Sequence, residues 1–112
     1  MNYENIRGSG RIRYSDEPAR EGVKPCANYM YESLAASPFH SIVCVVLTGM
    51  GKDGTEGIKN LVKTKKAHII AEDAKDCVVN GMPGSIVATG LVNEVADLDL
   101  IAQSILTKVG VR

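Results

Sequence analysis

The apolar run IVCVVL at residues 42–47 leads directly into the glycine-rich turn TGMGKDG and then into a stretch with helical periodicity. An uninterrupted run of this kind, without polar alternation, is the pattern of a strand buried on both faces, and such strands belong to parallel sheets covered by helices. This corner therefore dictates an α/β architecture, and the rest of the chain agrees with it. A helix is expected over 54–65, with Ile58, Leu61 and Val62 on its inner face, and a second strand over 67–71, closed by Glu72 and Asp73. AKDCVVNG at 74–81 reads as a loop or a short helical turn. Pro83 opens a further helix with Ile86 and Val87 inward and Gly90 as its stop. A third short strand follows over 91–95. In the last helix Leu98, Ile101, Ala102, Ile105, Leu106 and Val109 form one stripe behind Asp97 as N-cap.

Upstream of this unit, Pro25 is placed to open a helix in which Ala27, Met30, Tyr31 and Leu34 recur at helical spacing, and Pro38 bars its continuation. Residues 1–24 read as an irregular segment with one short strand at 11–14, between the GSG and SDEP turn signals. The order β-α-β-α-β-α implies a three-layer α/β fold, a parallel sheet with helices on both faces joined by right-handed crossovers. Ligands of such sheets bind at the carboxyl ends of the strands, and the glycine turn lies at one of them.

The 112 residues make one domain at most, or a piece of a larger one. Thirteen basic and thirteen acidic residues leave no net charge to attract nucleic acid or an anionic membrane. Lys59, Lys63, Lys65 and Lys66 cluster where they complement a helix C-terminus. Aromatic residues make up only 4%, too few for a platform that stacks single-stranded nucleic acid. No apolar run approaches the roughly 20 residues of a membrane-spanning helix, and the polar first twenty residues lack the apolar core of a signal peptide. The three cysteines form no C-x-x-C pair, and Cys44 and Cys77 are expected as small buried hydrophobes. Together these features point to the cytoplasm.

The turn at 49–54 admits three readings. Gly49, Gly51 and Gly54 satisfy G-x-G-x-x-G between a strand and a helix, with Glu72 or Asp73 where a ribose-binding acid belongs, which suggests a dinucleotide site. Against this, Asp53 would set a negative charge beside a diphosphate, and three strands are about half of a dinucleotide fold. The second reading makes Asp53 a helix cap, accepting from the amide of Glu56 while Glu56 reaches back. In the third, Asp53 holds a histidine in one tautomer while that histidine activates a nucleophile, and the glycine turn leaves backbone N–H groups free to face an oxyanion.

VVLTGMGKDGTEGIKNL, HIIAED, CVVNGMP and GLVNEV, with GRIRYSDEP upstream, closely resemble the chemotaxis protein-glutamate methylesterase (CheB-type) domain over nearly the whole chain, which then corresponds to the C-terminal half of that domain. The resemblance implies half of a doubly wound Rossmann-like fold carrying a Ser-His-Asp triad that hydrolyses methyl esters of receptor glutamates. By the same resemblance, Asp53 matches the triad aspartate and the Met50 backbone amide an oxyanion donor. Gly49 and Gly51 belong to that turn, and Met82 and Pro83 to a second loop beside it. No metal and no organic cofactor are implied. The implied partners are the cytoplasmic region of a methylated chemoreceptor, a receiver domain and the N-terminal half of the domain.

The serine elbow and histidine of the family precede the region represented here. Within the chain, Ser41, Ser85, His40 and His68 are poorly placed to replace them, and Cys77 lacks a basic partner. The chain departs from the family's R-P-S-x-D with Lys24, Pro25, Cys26, Ala27 and Asn28. Residues 25–112 are thus read as the C-terminal half of a methylesterase catalytic domain, in a truncated chain or a separate short gene product. Alone it is expected to be inactive, and to self-associate through the exposed edge of the strand at 42–47. The alternative is a non-catalytic interaction or dinucleotide-binding module using the turn at 49–54.

Overall fold

In a computed structural model, which describes residues 2–14, 16–22 and 26–110, strands β3 (Ser41–Val46), β4 (Lys66–Glu72) and β5 (Glu94–Ala96) form a sheet in that order. Both pairings are parallel, with Cys44 opposite Ile69 and Ala71 opposite Val95. Helices α1 (Ala27–Leu34), α2 (Thr55–Leu61) and α3 (Gly81–Ala88) cover one face, and α4 (Leu98–Val109) covers the other. The expected α/β class, with a parallel sheet and helices on both faces, is the observed one.

The alternation of side chains along the strands assigns the two cores. Cys44, Val46, Ile69 and Ala71 point toward α1–α3 and pack with Tyr31, Ile58, Leu61 and Ile86. Ile70 points the other way and packs with Ala96 and Ile101, flanked by Val43 and Val45. The first cluster is deep: Ile58, Leu61 and Ile86 have no exposed surface. The second is shallow, because α4 lies over a sheet only three strands wide. Leu98, Leu106 and Val109 of the expected stripe remain largely exposed, and only Ile101 of that helix is buried. Val87, expected inward on α3, is also exposed.

The amino-terminal segment departs from the expectation of an irregular stretch with one strand. It is an antiparallel hairpin of β1 (Asn2–Ile6) and β2 (Ser9–Arg13). Arg7 and Gly8 at its tip both have positive φ, as a tight two-residue hairpin turn demands. The polar sequence NYENI carries no apolar alternation, so periodicity is silent about β1. The hairpin docks on α1 through the Tyr3 amide, which donates to Ser33 Oγ at 2.8 Å, and on the connection before β3 through an edge-to-face contact of Tyr3 with Phe39. The expected helix opening at Pro25 lies outside the described residues.

Candidate active site

The β3–α2 corner is built from backbone contacts with the loop before α3. Gly49 N–H donates to Val79 C=O, and Met82 N–H donates to Gly49 C=O, both at 2.9 Å. Thr48 Oγ1 donates to Val79 C=O at 3.0 Å and accepts from Val79 N–H at 2.9 Å. The two loops therefore act as one rigid platform at the carboxyl ends of β3 and β4. Gly81 lies against the turn so closely that a Cβ there would fall 2.7 Å from Gly51 N and 2.8 Å from Gly49 O. The turn of Gly49 and Gly51 thus lies against the loop that carries Met82; Met82 Sδ fills the space beside Gly49, and Pro83, next in the chain, is fully buried. Met50 is 84% exposed, and among the described residues its amide donates to no acceptor.

Asp53 is half-buried, but it does not cap its own helix. The expected exchange with Glu56 is absent: the N-cap of α2 is Gly54, at φ +92°, with no side-chain capping bond. Asp53 instead accepts from the Ala27 amide at 2.8 Å and the Asn28 amide at 3.2 Å, so its carboxylate caps α1 across 26 residues of chain. The α2 amides of Gly54 and Gly57 are taken in turn by Asn28 Oδ1, at 3.1 and 2.8 Å. This occupancy argues against the dinucleotide reading, since a diphosphate would need those same N–H groups. Both oxygens of Asp53 are oriented by main-chain donors, and each keeps a lone pair for a further donor.

Two further residues build the platform. Thr48, to which the sequence assigns no role, locks the two loops together, and Glu72, a possible ribose-binding acid in the dinucleotide reading, is 2% exposed at the end of β4 and accepts from the Thr48 amide at 2.8 Å. The run VVLT reads as strand ending, with no signal that its threonine bonds across 31 residues.

The histidines lie away from this corner. His40 is exposed just before β3, and His68 sits near the amino end of β4 with Nε2 3.2 Å from Glu94 Oε1. Glu94 also accepts from the Ser104 hydroxyl. The hydrogen bond from Ser104, then that from His68, holds the Glu94 carboxyl below the usual range. The arrangement is not a triad, because the carboxylate rather than the imidazole is central and the serine donates its proton to an anion. Cys77 is half-buried rather than buried, and its surroundings are acidic rather than apolar: burial first, then Glu72, Asp76 and Asp73, push its thiol up. Thiolate chemistry is thereby disfavoured. Cys44 does match its expected role, fully buried with its thiol pushed up to about 11.

A three-layer α/β unit that holds an oriented carboxylate in a glycine corner, at the carboxyl edge of a parallel sheet, sets polar groups where the ligands of such sheets bind. Comparisons with known proteins identify the family. The profile of the CheB methylesterase family matches residues 1–105, and the chain belongs to that family. It is 44% identical over 105 residues to the protein-glutamate methylesterase/protein-glutamine glutaminase 1 of Oleidesulfovibrio alaskensis, covering 94% of this chain and 28% of that protein. To the protein-glutamate methylesterase/protein-glutamine glutaminase of Bacillus licheniformis it is 40% identical over 101 residues, again 28% of the relative. The crystal structure of the Thermotoga maritima CheB methylesterase catalytic domain superposes with a TM-score of 0.87 at 27% identity, covering 95% of this chain and 56% of that one. The chain thus spans under a third of the length of these curated relatives and just over half of a catalytic domain.

Proposed function

We propose that the chain supplies the aspartate-bearing part of a protein-glutamate methylesterase site. In the assembled site Asp53 accepts from a histidine that deprotonates a serine, and the serine attacks the methyl ester of a glutamyl side chain. The tetrahedral oxyanion faces the Met50 amide, in the platform built by Gly49, Gly51, Met82 and Pro83. The observation that carries this reading is the anchoring of both Asp53 oxygens by the Ala27 and Asn28 amides, at the end of β3 and on the same corner as the unengaged Met50 amide. A carboxylate already oriented by the main chain loses little freedom when an imidazole docks on it.

Among the described residues no serine or histidine lies at this corner, so the 112-residue chain by itself is expected to release no methanol from methyl-esterified receptor glutamates. Mixed with a segment that carries the family's serine elbow and histidine, it should become active, and Asp53→Ala should remove that activity. Robust hydrolysis by the chain alone, lost on Asp53→Ala, would overturn the division of the site. Activity of the mixture that survives Asp53→Ala would overturn the role of Asp53.

The partners follow from the same reading: the cytoplasmic region of a methylated chemoreceptor as substrate, with a receiver domain as regulator, in the cytoplasm. Among the described residues no helix is long and apolar enough to cross a membrane. Strand β3 has no partner on its outer edge among the described residues, and that edge is the place for a further strand, from the other half of a catalytic domain or from a second copy of this chain.

A further inference from the structure

Two helix starts meet at the Asp53 corner, and each is capped by the other's segment. Asp53 precedes α2 yet receives the first amides of α1. Asn28 lies in the first turn of α1 yet receives the Gly54 and Gly57 amides of α2. Neither Cys26 nor Gly54, the residues at the two N-cap positions, contributes a side-chain cap of its own.

Asn28 is 1% exposed, and the orientation of its amide is set by its neighbours, because two N–H donors require the oxygen. Its Nδ2 is left buried with no acceptor among the described residues. An unpaired buried donor is unfavourable, and the oxygen end offsets that by satisfying two helix-start amides at once. Gly57 makes the approach possible. A Cβ at that position would lie 2.7 Å from both Asn28 Cα and Asn28 O.

We propose that Asn28 is a positioning residue for Asp53. By clamping the first turn of α2 it holds the adjacent carboxylate against α1, and Asp53 in turn holds the backbone of Asn28. The two caps form one cooperative unit, because the donor to Asp53 and the acceptor for Gly57 belong to the same residue. The use of the oriented carboxylate rests on the esterase reading; the clamp itself is a property of this chain and is tested without substrate.

The test is amide hydrogen exchange by NMR on the full 112-residue chain, comparing the unsubstituted protein with Asn28→Ala, Asn28→Asp and Asp53→Ala. In Asn28→Ala, protection at Gly54 and Gly57 should fall about tenfold, the size of losing one capping acceptor. Protection at Ala27 should fall with it, while Ile69 and Ile70 in β4 stay protected. Asn28→Asp keeps an acceptor oxygen at the same reach and should restore all three amides. In Asp53→Ala the loss at Ala27 should spread to Gly57. Unchanged protection at Ala27 in Asn28→Ala, or at Gly57 in Asp53→Ala, would show two independent caps and overturn the proposal. If Asn28→Ala also exposes β4, the Asp53→Ala and Asn28→Asp variants decide by the same criterion. Failure of the mixed-segment esterase assay would sink the functional reading and leave this exchange pattern standing, so the two can fail separately.

Discussion

Gly81 and Gly49 both lie where the two loops of the site touch, yet a methyl group added at each meets a different kind of neighbour. At Gly81 the nearest atoms are backbone, Gly51 N and Gly49 O, which cannot withdraw without moving the turn. At Gly49 the nearest atom is Met82 Sδ at 2.6 Å, the mobile end of a flexible side chain. Gly81→Ala is therefore expected to cost about 1–3 kcal/mol as an overpacking substitution, and Gly49→Ala less than that. Urea midpoints at unchanged slope measure both, and equal losses would count against a rigid backbone contact. Asp53 shows what sequence alone reveals at this scale. Its position in a strand–turn–helix corner is legible, and so is its likeness to a triad aspartate. Its capping partner is not, because a D-x-x-E spacing fits a local capping box while the same carboxylate can equally cap a helix 26 residues away. Asn28 is less legible still, since one asparagine in a helical first turn looks like any polar residue until α2 is seen against it.

The elements are joined by polar ties that periodicity does not reveal. Arg20 makes a two-pronged contact with Glu32 of α1, at 2.6 and 3.0 Å, and lies over the Tyr29 ring. Asn60 of α2 donates to the same carboxylate at 2.8 Å. One glutamate of α1 thus ties the segment after the hairpin and α2 to its own helix. The hydrogen bond from Arg20 is the largest influence holding the Glu32 carboxyl below its ordinary value of 4.5, with Asn60 adding to it against the opposing effect of burial. A carboxyl depressed in the folded state contributes stability that is fully present above its unfolded value. That contribution is lost as pH falls through the folded value. Stability should accordingly decline as pH drops below about 4.5. Glu94, held down by Ser104 and His68, adds a loss of the same sign. Glu32→Gln should be less stable than the unsubstituted chain at neutral pH and should converge with it in acid. Parallel stability-versus-pH curves for the two proteins would contradict this assignment. The helices and the parallel strands were readable because burial on one or two faces imposes a period on the sequence. The β1–β2 hairpin was only partly readable, because backbone pairing and a positive-φ turn hold it rather than an apolar face.

At the scale of the molecule, a three-stranded parallel sheet leaves work undone on one side. The face under α1–α3 closes over fully buried residues. The face under α4 leaves Val43 and Val45 only partly covered, and Leu98, Leu106 and Val109 stand 55, 42 and 54% exposed. The helical stripe was legible in the sequence, but how much of it is buried depends on the width of the sheet beneath it. The helical periodicity of the stripe does not carry that information. Next to this face runs the outer edge of β3, SIVCVV, which has no lysine, proline or bulge to deter another strand. An apolar surface beside an unguarded edge favours association, because pairing satisfies backbone groups and burial removes exposed leucine and valine in the same step. The sedimentation coefficient should therefore rise with concentration from the micromolar range upward. Leu98→Lys and Leu106→Lys, both at exposed positions, should weaken that rise with little effect on the thermal midpoint. Adding the segment that carries the family's serine and histidine should suppress it too, by occupying the same edge. A concentration-independent monomer would overturn the assignment of β3 as an open pairing edge, and association unaffected by the lysines would place it on another surface.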